Sequence, residues 1–433
     1  MDVHLKALGC RLNEAELEQW SHEFRALGHK ISQDSEQAGL IVLNTCAVTS
    51  DAARKSRNLI NRFHRHNPEA KLVVSGCHAS LDPDAVAQTL GVDLVVTNEH
   101  KDDLVPMVME KLDLNSMPEM ATEPGDASLF QMGRHRGFIK IQDGCRYRCT
   151  FCIVTVARGD ERSRSIADIV HEINQLHESG VKEVVLTGVH VGGYGSDLDS
   201  SLYDLVKQIL TETSIPRIRF ASVEPWDLPE GFFTLFENRR LMPHMHLPLQ
   251  SGSDAVLRKM ARRCKTEEFS TLVEDARKAI PGFNVTTDII VGFPGETEDD
   301  WQRTLEYVES IGFGHMHIFS YSQREGTKAA RLPDQVPNEI RKQRSREMHE
   351  LADRLKTAFL EEQMGQETEI LWEQLIDAES GKAMDQGFSR NYLRVQIEKT
   401  DKDRDNLISP VRITGVKNGV LTGEEIAGKN GGS

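Results

Sequence analysis

Three short apolar runs near the start of the chain each end in a turn that carries a cysteine. The runs cover residues 3–8, 40–43 and 72–74, and they are followed by Cys10, Cys46 and Cys77; a fourth run, 94–96, has no cysteine. Continuous apolar strands that alternate with helix-like stretches predict a doubly wound parallel sheet, whose ligands lie beyond the carboxyl ends of the strands. The three thiols are therefore expected at one sheet edge, where they could bind one small inorganic centre. The alternative is that each is a small buried apolar residue.

A second series of strand-like runs alternates with helical patterns further along the chain. The runs cover residues 138–141, 183–186, 217–221, 244–249, 284–291 and 315–321. Six β/α units predict a partial (β/α)6 barrel, with its active face at the carboxyl ends of the strands. Residues 338–363 then form a charged helical pattern. Short strands of alternating polarity from residue 367 onward predict a small β barrel.

The length of 433 residues predicts two or three domains. The strand patterns described above predict that they are of the α/β and β classes. We expect an N-terminal α/β domain, a linker, a central barrel domain and a terminal β barrel, at residues 1–112, 113–134, 135–365 and 366–428. The sequence predicts no membrane span and no secretory signal, so we expect a cytoplasmic protein. The formal charge of −15 argues against a general polyanion binder, although local basic surfaces remain compatible with it.

Three more cysteines follow the first strand of the second series. Cys145, Cys149 and Cys152 are separated by gaps of three and then two residues. Loop thiolates at this spacing can bind three irons of a cubane cluster and leave the fourth iron open to a substrate or cofactor. Structural zinc is the alternative, but it normally takes four protein ligands. The seventh cysteine, Cys264, is expected on a polar helix end outside both sets, without a role.

The spacing of these cysteines, with Phe151 before the last one, resembles the radical S-adenosylmethionine superfamily. Further segments at the ends of later strands strengthen the resemblance, and they are residues 186–188, 222–225, 246–252, 288–296 and 319–327. Together with Cys10, Cys46 and Cys77, they make essentially the whole chain similar to the methylthiotransferases of that superfamily. The resemblance implies a radical-SAM barrel in the centre and a TRAM-like RNA-binding barrel at the end.

The same resemblance implies the cofactors of the protein. They are two 4Fe-4S clusters, one on Cys145, Cys149 and Cys152 and an auxiliary one on Cys10, Cys46 and Cys77, together with S-adenosylmethionine. No catalytic residue beyond the two clusters is expected, because acid–base chemistry does not readily remove hydrogen from an unactivated C–H bond. An electron donor and a sulfur source are implied as partners.

The superfamily motifs also suggest which residues contact S-adenosylmethionine. The candidates are Phe151, Thr187, Gly188, Ser222, Glu224 and Gly292. Three of them have a structural alternative: Thr187 and Gly188 also suit a strand-end turn, and Glu224 could cap the helix that Pro225 begins. His246, at another strand end, is interpreted as a hydrogen-bonded structural residue rather than a ligand.

The motifs around Cys10 and Cys46 are most similar to the subgroup that modifies N6-threonylcarbamoyladenosine at position 37 of tRNA. This implies contact with the anticodon loop. Modification of isopentenyladenosine in tRNA, or of an aspartate in a ribosomal protein, are alternatives within the family. A metal-stabilised RNA-binding protein without catalysis is an alternative from another class.

Local charge indicates where RNA could bind. Residues 134–164 contain seven Arg and one Lys against three acidic residues, a net charge of +5. We expect Arg158 in this segment to contact substrate. In the terminal barrel, Phe388, Arg390, Tyr392 and Arg394 interleave aromatic and basic groups, so Arg390 and Tyr392 are also substrate-binding candidates. The alternatives are a solvated, ion-paired loop and part of the barrel core.

Overall fold

The first region is a parallel sheet covered by helices, as the apolar runs predict. A computed structural model describes residues 1–112, 135–377 and 383–426, so the expected linker at 113–134 lies outside the described residues. The five strands are β1 Asp2–Ala7, β2 Lys30–Ile31, β3 Leu40–Thr45, β4 Lys71–Gly76 and β5 Leu94–Val96. They pair in the order β2-β1-β3-β4-β5, and every pairing is parallel. The N-terminal fold prediction is confirmed.

Helices cover both faces of this sheet. They are α1 Arg11–Ala26, α2 Ser50–His66, α3 Cys77–Leu81, α4 Pro83–Ala87 and α5 Leu104–Lys111. On one face, Val42 packs with Trp20 and Phe24 of α1; on the other, Leu43 packs with Ile60 of α2. Because both faces are buried, the strands carry the continuous apolar runs visible in the sequence.

The central region contains the six predicted barrel strands. Its elements are β6 Arg136–Lys140, β7 Gln142–Asp143, α6 Val154–Arg158, β8 Arg162–Ser163, α7 Ile166–Glu178, β9 Glu183–Thr187, α8 Leu202–Glu212, β10 Arg217–Phe220, β11 His244–His246, α9 Asp254–Lys259, α10 Thr266–Ala279, β12 Asn284–Val291, α11 Glu298–Ile311, β13 His315–Ser320 and α12 Asn338–Glu361. Two parallel three-stranded sheets, β6-β9-β10 and β11-β12-β13, are joined by parallel bridges such as Ser222 with His246. The partial barrel is confirmed.

The two faces of these strands have different neighbours. Ile218, Met245 and Ile289 belong to the large core formed with the surrounding helices. Since side chains alternate along a strand, Arg219, His246 and Asp288 point to the opposite face. We call this second face the inner face. Helix α1 packs against it, with Ala15 touching the cluster of Phe138 and Val185.

The terminal region is a closed β barrel. Its strands are β14 Glu367–Asp377, β15 Ala383–Ser389, β16 Arg394–Glu398, β17 Ile408–Lys417 and β18 Val420–Glu425. They close in the order β14-β15-β16-β18-β17 around a small core that includes Trp372, Val395 and Val411. This confirms the predicted small barrel. Among the described residues, no helix is long and apolar enough to cross a membrane.

Candidate active site

The structure brings Cys10, Cys46 and Cys77 to the carboxyl edge of the N-terminal sheet. Cys10 precedes the first residue of α1, Cys46 follows β3, and Cys77 begins α3 directly after β4. Gly9, at φ 99°, lies against the second cysteine, since a Cβ atom there would be 2.6 Å from Cys46 Sγ. Burial raises the pKa of Cys46, and the neighbouring Cys10 and Cys77 thiols act in the same direction. The three loops therefore converge on one place.

Arg158 lies at the centre of the contacts beneath this thiol set. Its Nε donates to Cys77 Sγ at 3.3 Å, and its Nη2 donates to Asn13 Oδ1 at 2.8 Å. Its Nη1 contacts Glu16 Oε1 at 2.9 Å and Asp143 Oδ1 at 3.0 Å. The side chain is only 2% exposed. Arg158 is therefore engaged by buried protein groups through Nε, Nη1 and Nη2, and its predicted contact with substrate stays a prediction that these contacts do not favour.

The carboxylates around Arg158 are held in their charged form. Burial acts to raise the pKa of Glu16, but the charges of Arg158 and Lys101 lower it to about 2. The pKa of Asp143 is also lowered, because the charges of Arg158 and Lys101 outweigh the effect of burial. Lys101 Nζ lies 2.9 Å from Asp143 Oδ2 and also contacts Glu16. Two cations and two anions thus balance in a site closed to water. Sequence reasoning missed Glu16 and Lys101, because nothing in their local pattern marks them as partners.

The second thiol set lies on the loop between β7 and α6. Gly144, at φ 72°, allows the close approach that starts the loop, since a Cβ atom there would be 1.9 Å from the Asp160 carbonyl oxygen. Cys145 N donates to Gly159 O at 3.1 Å, and Cys152 N donates to Cys149 O at 3.0 Å. Burial raises the pKa of Cys145 to about 12 and that of Cys152 to about 11. These thiols are neutral at pH 7, so binding of a metal centre would release their protons.

Asp143 connects the two thiol sets. Its carboxylate pairs with Arg158, which contacts Cys77, while its Oδ1 also accepts from Gly144 N at 2.8 Å, next to Cys145. The auxiliary set and the loop set are therefore built against one buried charge network.

A histidine that sequence reasoning missed lies beside Cys145. His190 Nε2 lies 2.7 Å from Asp227 Oδ2, and its Nδ1 contacts Glu161. Burial acts to lower the pKa of His190, but the hydrogen bond to Asp227 and the charge of Glu224 raise it. Ligand atoms of Cys145, Glu161 and His190 all lie within 4.8 Å of one another. The only sequence signal was the position of His190 just after the Leu186–Gly188 segment.

The superfamily candidates lie at the carboxyl ends of their strands. Thr187 ends β9 and Gly188 follows it against Gln142, whose Oε1 would lie 2.9 Å from a Cβ atom at Gly188. Ser222 pairs with His246. Glu224 is partly buried, and among the described residues its Oε2 is a buried atom without a hydrogen-bond partner. Such an atom, 3.8 Å from His190 Nε2, suits a bound ligand.

Two other candidates close the opposite side of the mouth. Phe151 packs edge-on against Phe293, with ring centroids 6.4 Å apart. Gly292 has φ 73°, and a Cβ atom there would lie 2.2 Å from Arg341 Cγ, so no larger residue fits without displacing Arg341. Gln142, which sequence reasoning missed, accepts hydrogen bonds from Val189 N and His190 N and fixes the turn after β9.

Tyr392 and Arg390 lie away from this mouth, at the contact between the two barrels. Tyr392 is in the turn between β15 and β16, at φ 66°, and stacks on Phe388 with centroids 4.9 Å apart. Arg219 Cζ lies 4.4 Å from the Tyr392 ring. Arg390 Nη2 donates to Arg239 O at 2.7 Å and its Nη1 lies 3.4 Å from Glu369 Oε2. Both side chains join protein surfaces in this structure, and the expected RNA contact of Tyr392 and Arg390 stays a prediction.

The basic and aromatic residues 388–394 span a turn between two strands, because β15 ends at Ser389 and β16 begins at Arg394. Cys264 is buried in the large core, 4% exposed, rather than lying on a polar helix end. In the basic segment, the structure leaves Arg146, Arg148 and Arg162 exposed, whereas Arg158 is buried; Arg134 lies outside the described residues.

The fold and the loop with three cysteines define a radical S-adenosylmethionine enzyme. Residues 139–308 match the Radical SAM superfamily, and residues 2–97 match the family described as "Uncharacterized protein family UPF0004". A similar solved structure is the radical S-adenosylmethionine methyltransferase TsrM from Kitasatospora setae, at TM-score 0.54 and 16% identity, covering 73% of this chain and 72% of that one. At this identity the likeness concerns the fold alone.

Relatives of known name narrow the class of radical S-adenosylmethionine enzyme to which the chain belongs. The chain is 34% identical to threonylcarbamoyladenosine tRNA methylthiotransferase MtaB of Bacillus subtilis, covering 92% of this chain and 91% of that protein. It is 37% identical to MtaB of Thermotoga maritima over 86% of each chain. It is also 33% identical to tRNA-2-methylthio-N(6)-dimethylallyladenosine synthase of Anoxybacillus flavithermus, covering 98% of this chain and 82% of that one. The chain therefore belongs to the radical S-adenosylmethionine methylthiotransferase family.

The donor sets fit the cofactors of this family, two 4Fe-4S clusters and S-adenosylmethionine. All six cysteines are free, and each set offers three thiols. A cation lies beside each set: Arg158 Nε at 3.3 Å from Cys77 Sγ, and Arg262 Nη1 at 3.9 Å from Cys149 Sγ. Hydrogen bonds and charge at the sulfurs are among the features that tune iron–sulfur clusters. Family membership favours the enzyme over the zinc-stabilised RNA-binding alternative.

Proposed function

We propose that the protein is a tRNA methylthiotransferase that adds a methylthio group to C2 of N6-threonylcarbamoyladenosine at position 37. The observation that carries this proposal is the pair of three-thiol sets built on one charge network, at the mouth of a radical S-adenosylmethionine barrel. The MtaB relatives support the threonylcarbamoyl substrate, because the chain is 34% and 37% identical to them and 33% identical to the dimethylallyladenosine synthase.

Each set of side chains has a role in this proposal. Cys145, Cys149 and Cys152 hold the cluster that works with S-adenosylmethionine, and Cys10, Cys46 and Cys77 hold the auxiliary cluster. Together the cofactors supply the radical and sulfur chemistry that a C–H to C–S conversion requires. Thr187, Gly188, Ser222, Glu224, Phe151 and Gly292 surround S-adenosylmethionine. Glu224 Oε2, which has no hydrogen-bond partner among the described residues, supports the place of Glu224 in that group.

Other residues of the chain shape the site, keep water from the auxiliary set and attract the RNA. The His190 ring, held between Asp227 and Glu161, fixes the wall beside Cys145. The buried Arg158 network keeps water from the base of the auxiliary set. Exposed Arg146, Arg148 and Arg162 surround the loop and offer charge to RNA phosphates.

The wider setting follows from the substrate. Partners are the tRNA anticodon loop, an electron donor that reduces the clusters and a source of sulfur, and the enzyme works in the cytoplasm with its tRNA. We retain 1–112, 135–365 and 366–428 as its domain limits, with 113–134 as linker.

Mass spectrometry of tRNA nucleosides tests the proposal. Cells that lack the gene should accumulate N6-threonylcarbamoyladenosine and lose its 2-methylthio derivative, and the intact gene should restore it. Loss of 2-methylthio-dimethylallyladenosine instead would establish the second candidate, which the similarity to the dimethylallyladenosine synthase favours. No change in either nucleoside would reject both.

A further inference from the structure

One barrel strand leaves its inner face exposed. Along β13, the alternating residues His315, His317 and Phe319 are exposed, while Met316, on the helix side, is buried. Phe319 is 45% exposed, which is unusual for a large aromatic side chain. Strands of a parallel sheet are normally covered on both faces. An exposed aromatic group beside polar side chains in such a place is typical of a ligand site.

A polar cluster lies next to this face, on the two neighbouring strands. His246 Nε2 is 3.1 Å from Asp288 Oδ1, and its Nδ1 is 2.9 Å from Thr286 Oγ1. Asp288 pairs with His317 in the β12–β13 register. Single ligand atoms of His246, Asp288 and His317 lie within 4.8 Å of one another. We call His246, Asp288, His317 and Phe319 the inner-face pocket.

The pocket adjoins residues expected to surround S-adenosylmethionine. His246 pairs with Ser222, two residues before Glu224, and Glu224 Oε2 lies 3.8 Å from His190 Nε2, beside Cys145. Burial and the neighbouring His246 lower the pKa of His317; the charge of Asp288 raises it and that of Arg11 lowers it. A substrate held at the Cys145 side of the mouth would therefore lie next to this pocket.

We propose that the inner-face pocket binds the polar N6 substituent of the target adenosine, with Phe319 against the base. This inference rests on the proposed function and adds the residues that recognise its substrate. The substituent carries a carboxylate, a hydroxyl and urea N–H groups. A ring N–H of His317 can donate to the carboxylate, while Asp288, oriented by His246, can accept from a hydroxyl or N–H. Unpaired bases commonly stack on aromatic side chains.

The pocket would also discriminate against an apolar substituent. A dimethylallyl group offers no partner to His317 or Asp288, so binding it would desolvate both without replacing their hydrogen bonds. Sites built for a polar substrate reject its apolar analogue for this reason.

The experiment measures binding of the reconstituted full-length holoenzyme to one tRNA in three forms at position 37: threonylcarbamoylated, dimethylallylated and unmodified. His317→Ala and Asp288→Asn should each weaken binding of the threonylcarbamoylated tRNA by about tenfold or more. Binding of the unmodified tRNA should change little, so the preference for the polar form falls. His317→Gln keeps an N–H donor and should retain part of that preference.

His171→Ala is the matched control, since His171 is exposed on the outer helix α7. Iron content and the visible spectrum of each variant verify that both clusters are present. An unchanged preference in His317→Ala and Asp288→Asn overturns the pocket. If the wild type binds one zinc per chain and His317→Ala loses it, the pocket is a metal site and the proposal is overturned. Failure of the proposed function would be seen in a different measurement, because the wild type would then form no methylthio product on the threonylcarbamoylated tRNA.

Discussion

The two ends of the barrel's inner face use charged and aromatic residues in opposite ways. At the base, Glu183 accepts from Arg219 Nε and Nη2 at 3.1 Å and also pairs with Arg136, while the rings of Phe388 and Tyr392 cover the arginines. At the mouth, Glu224 Oε2 has no hydrogen-bond partner within the described chain. Charges paired across the base join two domains, whereas a carboxylate oxygen without a hydrogen-bond partner at the mouth is available to ligands.

The thiols of the mouth should show the largest effects. Cys145→Ala removes a ligand of the radical cluster, so both S-adenosylmethionine cleavage and methylthio product should be lost entirely. Cys46→Ala should also lose the product but keep cleavage to 5'-deoxyadenosine, with about half the iron of the wild type. Iron analysis and chromatography of both products measure this. Cys264→Ala, in the core, is the control and should keep both activities. Full product from Cys46→Ala would contradict the auxiliary assignment.

Arg158 differs from Glu224, because it lies at the mouth and is nevertheless paired with buried carboxylates. Arg158→Gln leaves Glu16 and Asp143 with one cation fewer, and breaking a buried ion pair costs about 3–5 kcal/mol. We expect a lower unfolding free energy and a weakened auxiliary cluster, measured by denaturant titration and by iron release to a chelator. Arg262→Gln is the control, since Arg262 Nη1 is 3.9 Å from Cys149 Sγ. Equal iron release from both variants would contradict a special role for Arg158.

Glu183 tests the base of the barrel. Burial acts to raise its pKa, but Arg219 and Arg136 lower it well below the usual value. Glu183→Gln should destabilise the fold by about 3 kcal/mol at pH 7, because it leaves buried arginines unpaired. A lowered carboxyl pKa gives stability that is present above the unfolded pKa of about 4.3 and is lost as pH falls below it. The difference in unfolding free energy between wild type and variant should therefore shrink below pH 4. A constant difference would contradict the assigned charge state.

Patterns that repeat along the chain allowed the fold to be predicted. Four of the five N-terminal strands, the six barrel strands and the terminal barrel follow from runs of apolar residues and turns, whereas the two-residue edge strand β2 was not predicted. The thiol sets were predictable for the same reason, because Cys46 and Cys77 come directly at strand ends.

The partners of single charged residues were not predictable. Arg158 meets Glu16 and Asp143 across 142 and 15 residues of sequence. Tyr392 looked like an RNA contact because aromatic and basic residues alternate there, but domain docking uses the same residue types for cation–π contacts. Composition indicates that aromatic and basic residues bind something, but only the tertiary contacts show whether the partner is RNA or another domain.

The smallest predicted effect compares two arginines on RNA binding. Arg162, exposed on β8 near the mouth, should contact phosphate, so Arg162→Glu should weaken tRNA binding a few fold and reduce the salt dependence by about one charge. Arg390→Glu should change binding less, because its guanidinium already meets Glu369 and the Arg239 carbonyl; it should lower stability instead, by placing a carboxylate beside Glu369. Fluorescence titrations at several salt concentrations measure both. A larger loss of affinity in Arg390→Glu than in Arg162→Glu would place the RNA on the terminal barrel.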